Sequence, residues 1–485
     1  MLRIVLIMSL CFGTLHVARA EVNIKSSVVK VFSVHRRHNY DEPWQLHGQR
    51  RSSGSGCIIA NNRIITNAHV VADQTFIQVK RAGQARKYTA KVVVVAHECD
   101  LALLEVEEDS FFESAIPLTL GTLPSIRDDV AVYGFPIGGD SMCITEGVVS
   151  RVEHDRYSHS SARLLTCQID AAINPGSSGG PVIKDNKIVG IAFQGGSGEN
   201  IGYMVPAPII NHFLEDIADG TYEGIPKLGI SCQKMESPDI RASYHMDEDE
   251  TGTLINKVYP GSPATDILMP EDVLLSIDGN RIANNGTIEF RPGERTSFGY
   301  VVQSKHVGES VLCTVLRDAK QLDVSIQLSK PTGAMRLVPN EQYDVAPTYY
   351  ILGGLVFEPL TKNFLREWGK QWYSRAPRHL TNYYLNGELT EDRKQVIVLV
   401  KVLPDEINLG YHDWGSNVVT SVNGSHISSI TDLVEAFESN IGDYHVIVDE
   451  AERRLILDRK KVDAAGHQIL KKYRITSDRS EDLKE

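Results

Sequence analysis

After its first twenty residues this 485-residue chain has no long apolar run, no excess of positive charge and no cysteine pattern. Of its 7 cysteines, Cys11 lies in the N-terminal apolar run. The other six, Cys57, Cys99, Cys143, Cys167, Cys232 and Cys313, fall at spacings that fit neither a small disulfide-stapled scaffold nor a zinc site. Apolar neighbours at Cys57 and Cys313 fit buried thiols. His97-Glu98-Cys99 and His154-Asp155 have no second pair of ligands at metal spacing, so both read as surface positions, and neither metal nor cofactor is expected. A formal net charge of -12 argues against a nucleic-acid partner. The apolar run over 4–15 is well short of the ~20 residues that span a bilayer. With Arg3 before it and Ala18-Arg19-Ala20 after it, residues 1–20 read as a secretory signal peptide cleaved near Ala20. That reading predicts a periplasmic or secreted protein without stable membrane insertion.

What is present centres on Asn174-Pro175-Gly176-Ser177-Ser178-Gly179-Gly180-Pro181, which follows an apolar run ending at Ile169. Glycines on both sides of a serine allow a tight loop that aims a hydroxyl and converges backbone amides on one point. A Gly/Ser-rich turn explains the string equally well, and it also fits the G-x-S-x-G elbow of α/β-hydrolases. A nucleophilic serine needs a base, and the base needs an orienting carboxylate. His69 lies in Thr66-Asn67-Ala68-His69-Val70-Val71 and Asp100 in Asp100-Leu101-Ala102-Leu103-Leu104, both upstream. The order His, Asp, Ser is that of chymotrypsin-like barrels; elbow enzymes run Ser, Asp, His.

These three boxes resemble those of the HtrA/Deg family of serine endopeptidases, in the branch known from plants with a divergent second PDZ domain. The resemblance extends over nearly the whole chain after residue 20. It implies a mainly β protein, a chymotrypsin-like double β-barrel protease domain followed by two PDZ-like α+β domains. It also implies an ATP-independent endopeptidase that degrades unfolded or misfolded protein outside the cytoplasm, with catalytic His69, Asp100 and Ser178 and an oxyanion hole drawn from Gly176, Ser177 and Ser178. Peptide or unfolded-protein substrates and a trimer-based homo-oligomer are the implied partners. Ser177 stands where the family usually has asparagine, which motivates the alternative of a proteolytically silent chaperone or peptide-binding scaffold.

Alternating short apolar runs over 21–224 suit the protease domain, closed by a helix over 206–218. Ile191, Ala192 and Phe193 with Gly202 and Tyr203 occupy the positions that in chymotrypsin-like proteases line the substrate pocket; without an aspartate there, the resemblance implies a preference for small aliphatic side chains. The same runs also read as core strands. Residues 35–55, rich in Arg, His and Ser, read as a solvated connection, whereas the family resemblance implies a regulatory loop there. Over 225–336, Lys227-Leu228-Gly229-Ile230 resembles the carboxylate-capturing loop of a PDZ domain, with Phe298, Val301 and Val302 on a groove-lining helix. Residues 337–470 form a divergent PDZ-like unit entered by a loose connection, with a helix over 360–373. The family resemblance assigns this unit to assembly. Residues 471–485 read as a C-terminal tail, charged and frayed over 477–485.

Overall fold

The computed structural model describes residues 24–195, 201–329 and 335–484, so the expected signal peptide lies outside the described residues. Six antiparallel strands close the first barrel: β1 (Val28–His35), β2 (Arg50–Ile59), β3 (Arg63–Thr66), β4 (Gln74–Arg81), β5 (Tyr88–Ala96) and β6 (Leu101–Glu105), in the order β1-β2-β3-β6-β5-β4. The second barrel repeats this connectivity with β7 (Asp129–Gly134), β8 (Cys143–Arg156), β9 (Arg163–Ile169), β10 (Pro181–Lys184), β11 (Lys187–Gly195) and β12 (Gly202–Pro206). Helix Ala207–Asp216 closes the pair, seating Ile209, Ile210 and Phe213 in the second barrel's core.

Two strands of the first barrel are apolar on both faces, and this positions the site. Ile64 on β3 and Ala102 and Leu104 on β6 fill their own barrel, whereas Ile65, Leu101 and Leu103 join the core shared with the second barrel. Alternate side chains of a strand point to opposite faces, so only a strand wedged between two cores reads as an unbroken apolar run. At about 1.5–3 kcal/mol for each fully buried aliphatic side chain, this wedge holds the barrels together. β3 and β6 pair antiparallel with Thr66 opposite Ala102. The end of β3, which leads to His69, therefore lies beside the start of β6, which follows Asp100.

A second sheet, Ile230–Lys234, Thr253–Val258, Val273–Ile277, Ser310–Arg317 and Lys320–Gln327, has Ile230–Lys234 at its edge, and short helix Gly299–Gln303 sends Val301 and Val302 into its core. His154 ties this unit to the second barrel: its ring nitrogens meet Thr296 Oγ1 at 2.9 Å and Gln303 Oε1 at 2.7 Å. The surface role expected of His154 is thus corrected to that of an interface residue.

The third unit is a sheet whose main path runs Tyr350–Leu352, Leu355–Pro359, Ile397–Val402, Gly415–Val422, Tyr444–Asp449 and Arg454–Asp458. The helix expected over 360–373 is instead a series of single turns, Lys362–Leu365, Arg366–Trp368 and Trp372–Arg375, interrupted at Gly369, whose φ is 87°. Helix Arg459–Lys472 had no counterpart in the sequence reading, because only Val462 and Ile469 of it are buried. The tail does not fray. Ile475 enters the core, Ile351 N donates to Asp478 O at 2.7 Å and Ser480 N to Tyr349 O at 3.0 Å. The connection is not loose either, since Leu337 and Val338 are buried in the same core.

The polar segment between β1 and β2 is docked on the third unit. Tyr40 belongs to that unit's core, Trp44 stands edge-on to Tyr349, and Glu367 accepts from the Tyr40 amide at 3.2 Å and lies 3.3 Å from His47 Nε2. Lys401 Nζ reaches Asp41 at 2.6 Å. The reading of 35–55 as a solvated connection is corrected: two aromatics inside a polar stretch supply the apolar anchor.

Candidate active site

Asp100 begins the site. It sits at a φ of 56° just before β6, and its side chain is fully buried. Oδ1 accepts the backbone N–H of His69 at 2.9 Å and Oδ2 accepts Nδ1–H at 2.7 Å. Because a carboxylate only accepts, the imidazole proton is held on Nδ1 and the lone pair of Nε2 is left for a substrate-side proton. Burial works against charge on both partners; the opposed charge and hydrogen bonds prevail, lowering the carboxyl and raising the imidazole. Asn67 Nδ2 donates to Asp100 O at 2.9 Å and completes the support of this loop.

The nucleophile loop enters from the second barrel. Gly176 has a φ of 98°, and a Cβ there would stand 2.5 Å from Phe135 O; Gly179, at 87°, would place one 2.0 Å from Ser55 O. Only glycine fits either position. Pro175 O accepts from Ile137 N at 2.7 Å. In a trans peptide the N–H points opposite to the C=O, so Gly176 N–H faces away from Ile137 with its direction set. Ser177 N is spent on Asn174 O at 2.9 Å. A donor used inside its own loop has no second proton to offer, so of the expected oxyanion set only the Gly176 and Ser178 amides are left available. The Ser178 hydroxyl donates to Phe193 O at 3.3 Å rather than to the imidazole.

Of the expected pocket residues, Ile191, Ala192 and Phe193 are packed in the second barrel's core, with the Phe193 ring against Tyr157 at 4.6 Å. Tyr203 is partly buried, with its hydroxyl 3.5 Å from Gln168 Oε1. A Cβ on Gly202 would stand 2.7 Å from Ile173, so Ile173 covers that strand. Sequence reasoning gave Ile173 no role, and an apolar residue inside the nucleophile box was its one signal. His159 was also missed: its ring is 6.0 Å from that of His69, its Nε2 is 2.9 Å from His97 Nδ1, and Tyr343 stacks on it at 4.1 Å. Burial pushes His159 down to about 4, which keeps it neutral beside the His69 imidazole. His97, expected on the surface, continues the chain to Asp344 Oδ2 at 3.0 Å.

The Lys227–Ile230 loop borders a cavity of about 1030 Å³ with Phe298 and Val302. Gly229 has a φ of 75°, and its carbonyl accepts Tyr259 N at 2.9 Å. The opposite wall is the chain's own connection and third unit, including Met335, Leu337 and Glu388. Among the described residues no group of three or more His, Cys, Asp or Glu is gathered to hold a metal ion. All six described cysteines are unpaired. No helix among the described residues is long and apolar enough to cross a membrane.

Residues 54–191 match the trypsin-like peptidase domain family and residues 338–482 the PDZ domain family. Protease Do-like 4, mitochondrial, of Arabidopsis thaliana is 41% identical over 93% of this chain and 84% of its own length. Protease Do-like 2, chloroplastic, of the same plant is 38% identical over 96% and 76%. Among solved structures, an HtrA-type protease with a decapeptide shares the fold at a TM-score of 0.50 and 23% identity, covering 63% of this chain and 95% of that one. The organelle-named relatives overturn the expectation of a periplasmic or secreted protein. A short apolar run with nearby arginines carries an address only through the receptor that reads it. Identity at this level over nearly the full length, with paired barrels followed by PDZ-type sheets, places the chain in the HtrA/Deg family of Do-like serine endopeptidases.

Proposed function

We propose that this endopeptidase is ATP-independent and cleaves unfolded or misfolded protein, with Ser178 attacking the peptide carbonyl, His69 taking and returning the proton and Asp100 holding the imidazole. The observation that carries this reading is the fully buried Asp100 carboxylate accepting both the amide and Nδ1–H of His69. Ser178 turns from Phe193 O to His69 Nε2 by rotation about its Cα–Cβ bond, a ps–ns motion. As the tetrahedral intermediate forms, its oxyanion meets the Gly176 and Ser178 amides. The protonated imidazole, stabilised by Asp100, then donates to the leaving amine. Ile173 and Gly202 border the side-chain pocket, which takes small aliphatic residues. The Lys227–Ile230 loop captures peptide ends, and the third unit serves a trimer-based assembly. Casein turnover by purified Ser178→Ala tests the reading: kcat falls on the order of 10^6-fold, and substantial residual proteolysis refutes it. Labelling of the wild-type protein, and not of Ser178→Ala, by a fluorophosphonate separates this enzyme from a silent scaffold.

A further inference from the structure

We infer that Ser55 is a positioning residue that holds the oxyanion loop with its amides turned toward the substrate carbonyl. The inference rests on the reading of the Gly176 and Ser178 amides as the oxyanion site. Ser55 lies on β2, in the first barrel, and is fully buried. Every polar group it owns is committed to the catalytic cleft. Its N–H donates to Ser178 O at 2.8 Å, its hydroxyl donates to Gly176 O at 2.8 Å and accepts from Phe135 N at 2.8 Å, and its carbonyl accepts from Thr66 Oγ1 at 2.7 Å. The hydroxyl's orientation is unambiguous, because Phe135 N can only donate and Gly176 O can only accept.

These bonds bracket Gly176. On one side the Pro175 carbonyl is held by Ile137 N; on the other the Gly176 carbonyl is held by Ser55 Oγ. Each peptide is planar, so the Ile137 bond fixes the Pro175–Gly176 plane and with it the direction of Gly176 N–H, while the Ser55 bond fixes the Gly176–Ser177 plane that follows. Ile137 and Phe135 belong to the same segment, and Ser55 Oγ anchors that segment too. One hydroxyl therefore joins the first barrel, the 135–137 segment and the nucleophile loop. Glycine at 176 offers no steric preference against the flipped peptide, since it populates both signs of φ about equally. The holding force must come from a neighbour. Without Oγ, Gly176 O and Phe135 N lose their partner in a buried place, and the 135–137 segment, whose Ile137 N–H holds the Pro175 carbonyl, is released, so the Pro175–Gly176 peptide that carries Gly176 N–H is free to turn.

A misaligned oxyanion donor weakens transition-state binding and spares ground-state binding. In the full-length protein, Ser55→Ala is expected to lower kcat about 10- to 100-fold, below the 10²–10³ for outright loss of a donor, with KM for a peptide substrate within about twofold of wild type. Fluorophosphonate labelling of Ser178 slows in parallel. Ser55→Thr, which keeps an Oγ, restores most of kcat, and Ser55→Cys, with its weak S–H donor, falls between. Ser55→Ala or Ser55→Cys with wild-type kcat, or a loss confined to KM, overturns the inference; if Ser55→Ala does not fold, Ser55→Cys decides by the same criterion. Ser178→Ala run alongside separates the two levels. Residual turnover in Ser178→Ala overturns the catalytic reading itself, whereas an inactive Ser178→Ala beside a fully active Ser55→Ala overturns only the role of Ser55.

Discussion

Replacing Glu358 should stabilise the protein, and more so as pH rises. Glu358 stands on strand Leu355–Pro359, opposite Val398, and is 1% exposed. Neither carboxyl oxygen has a hydrogen-bond partner. Its surroundings come from two units. Burial first, then the charges of Asp41 from the docked loop and Glu367 from the third unit, push its carboxyl well above the ordinary range, and Lys401 pulls weakly the other way. An unpaired polar group in such a place costs about 1–3 kcal/mol even when neutral. Glu358→Met keeps the chain length and removes the polar atoms, so the third unit should gain about that amount, or about 2–4 °C in melting temperature per kcal/mol for a unit of this size. The pH dependence has a definite sign. The folded protein keeps a proton that the unfolded chain releases near pH 4.5, so wild-type stability falls as pH rises from there through the raised folded value. The variant lacks this loss, and the gap between the two widens over the same window. Differential scanning calorimetry of both full-length proteins at a series of pH values measures it. Lower stability of Glu358→Met at every pH, or a gap that narrows as pH rises, would refute the reasoning and imply a partner for the carboxylate.

Two further outcomes are expected. Asp100→Asn should cut kcat about 10^4-fold; since Asp100 is what raises His69 against the effect of burial, the acid limb of the kcat/KM profile should move to lower pH, and an unmoved limb would sink the assignment of His69 as base. Light scattering of the purified protein should give a mass in multiples of three chains, and monomers alone at working concentration would rule out a trimer-based assembly.

The paired barrels were legible because barrel strands carry their own signature, short apolar runs separated by turns, and the strands that bury both faces stand out as Arg63–Thr66 and Leu101–Glu105. The glycines around Ser178 were legible because a backbone with φ of 98° at Gly176 and 87° at Gly179 selects one residue type. Helix Arg459–Lys472 was not, because a helix covered by one or two side chains shows almost no apolar period. Tyr40 and Trp44 read as part of a polar loop, since nothing local says that the third unit will receive them.

The one-dimensional order of residues was enough to propose His69, Asp100 and Ser178 from glycine geometry and residue order, and strand alternation together with the family resemblance was enough to foresee two barrels with PDZ-like units behind them. Contacts between distant segments lay beyond it. Ser55 touching Gly176 across 121 positions, His159 stacking on Tyr343 and the tail holding Tyr349 depend on how separate units pack, and packing is settled by shape and burial after the chain has folded.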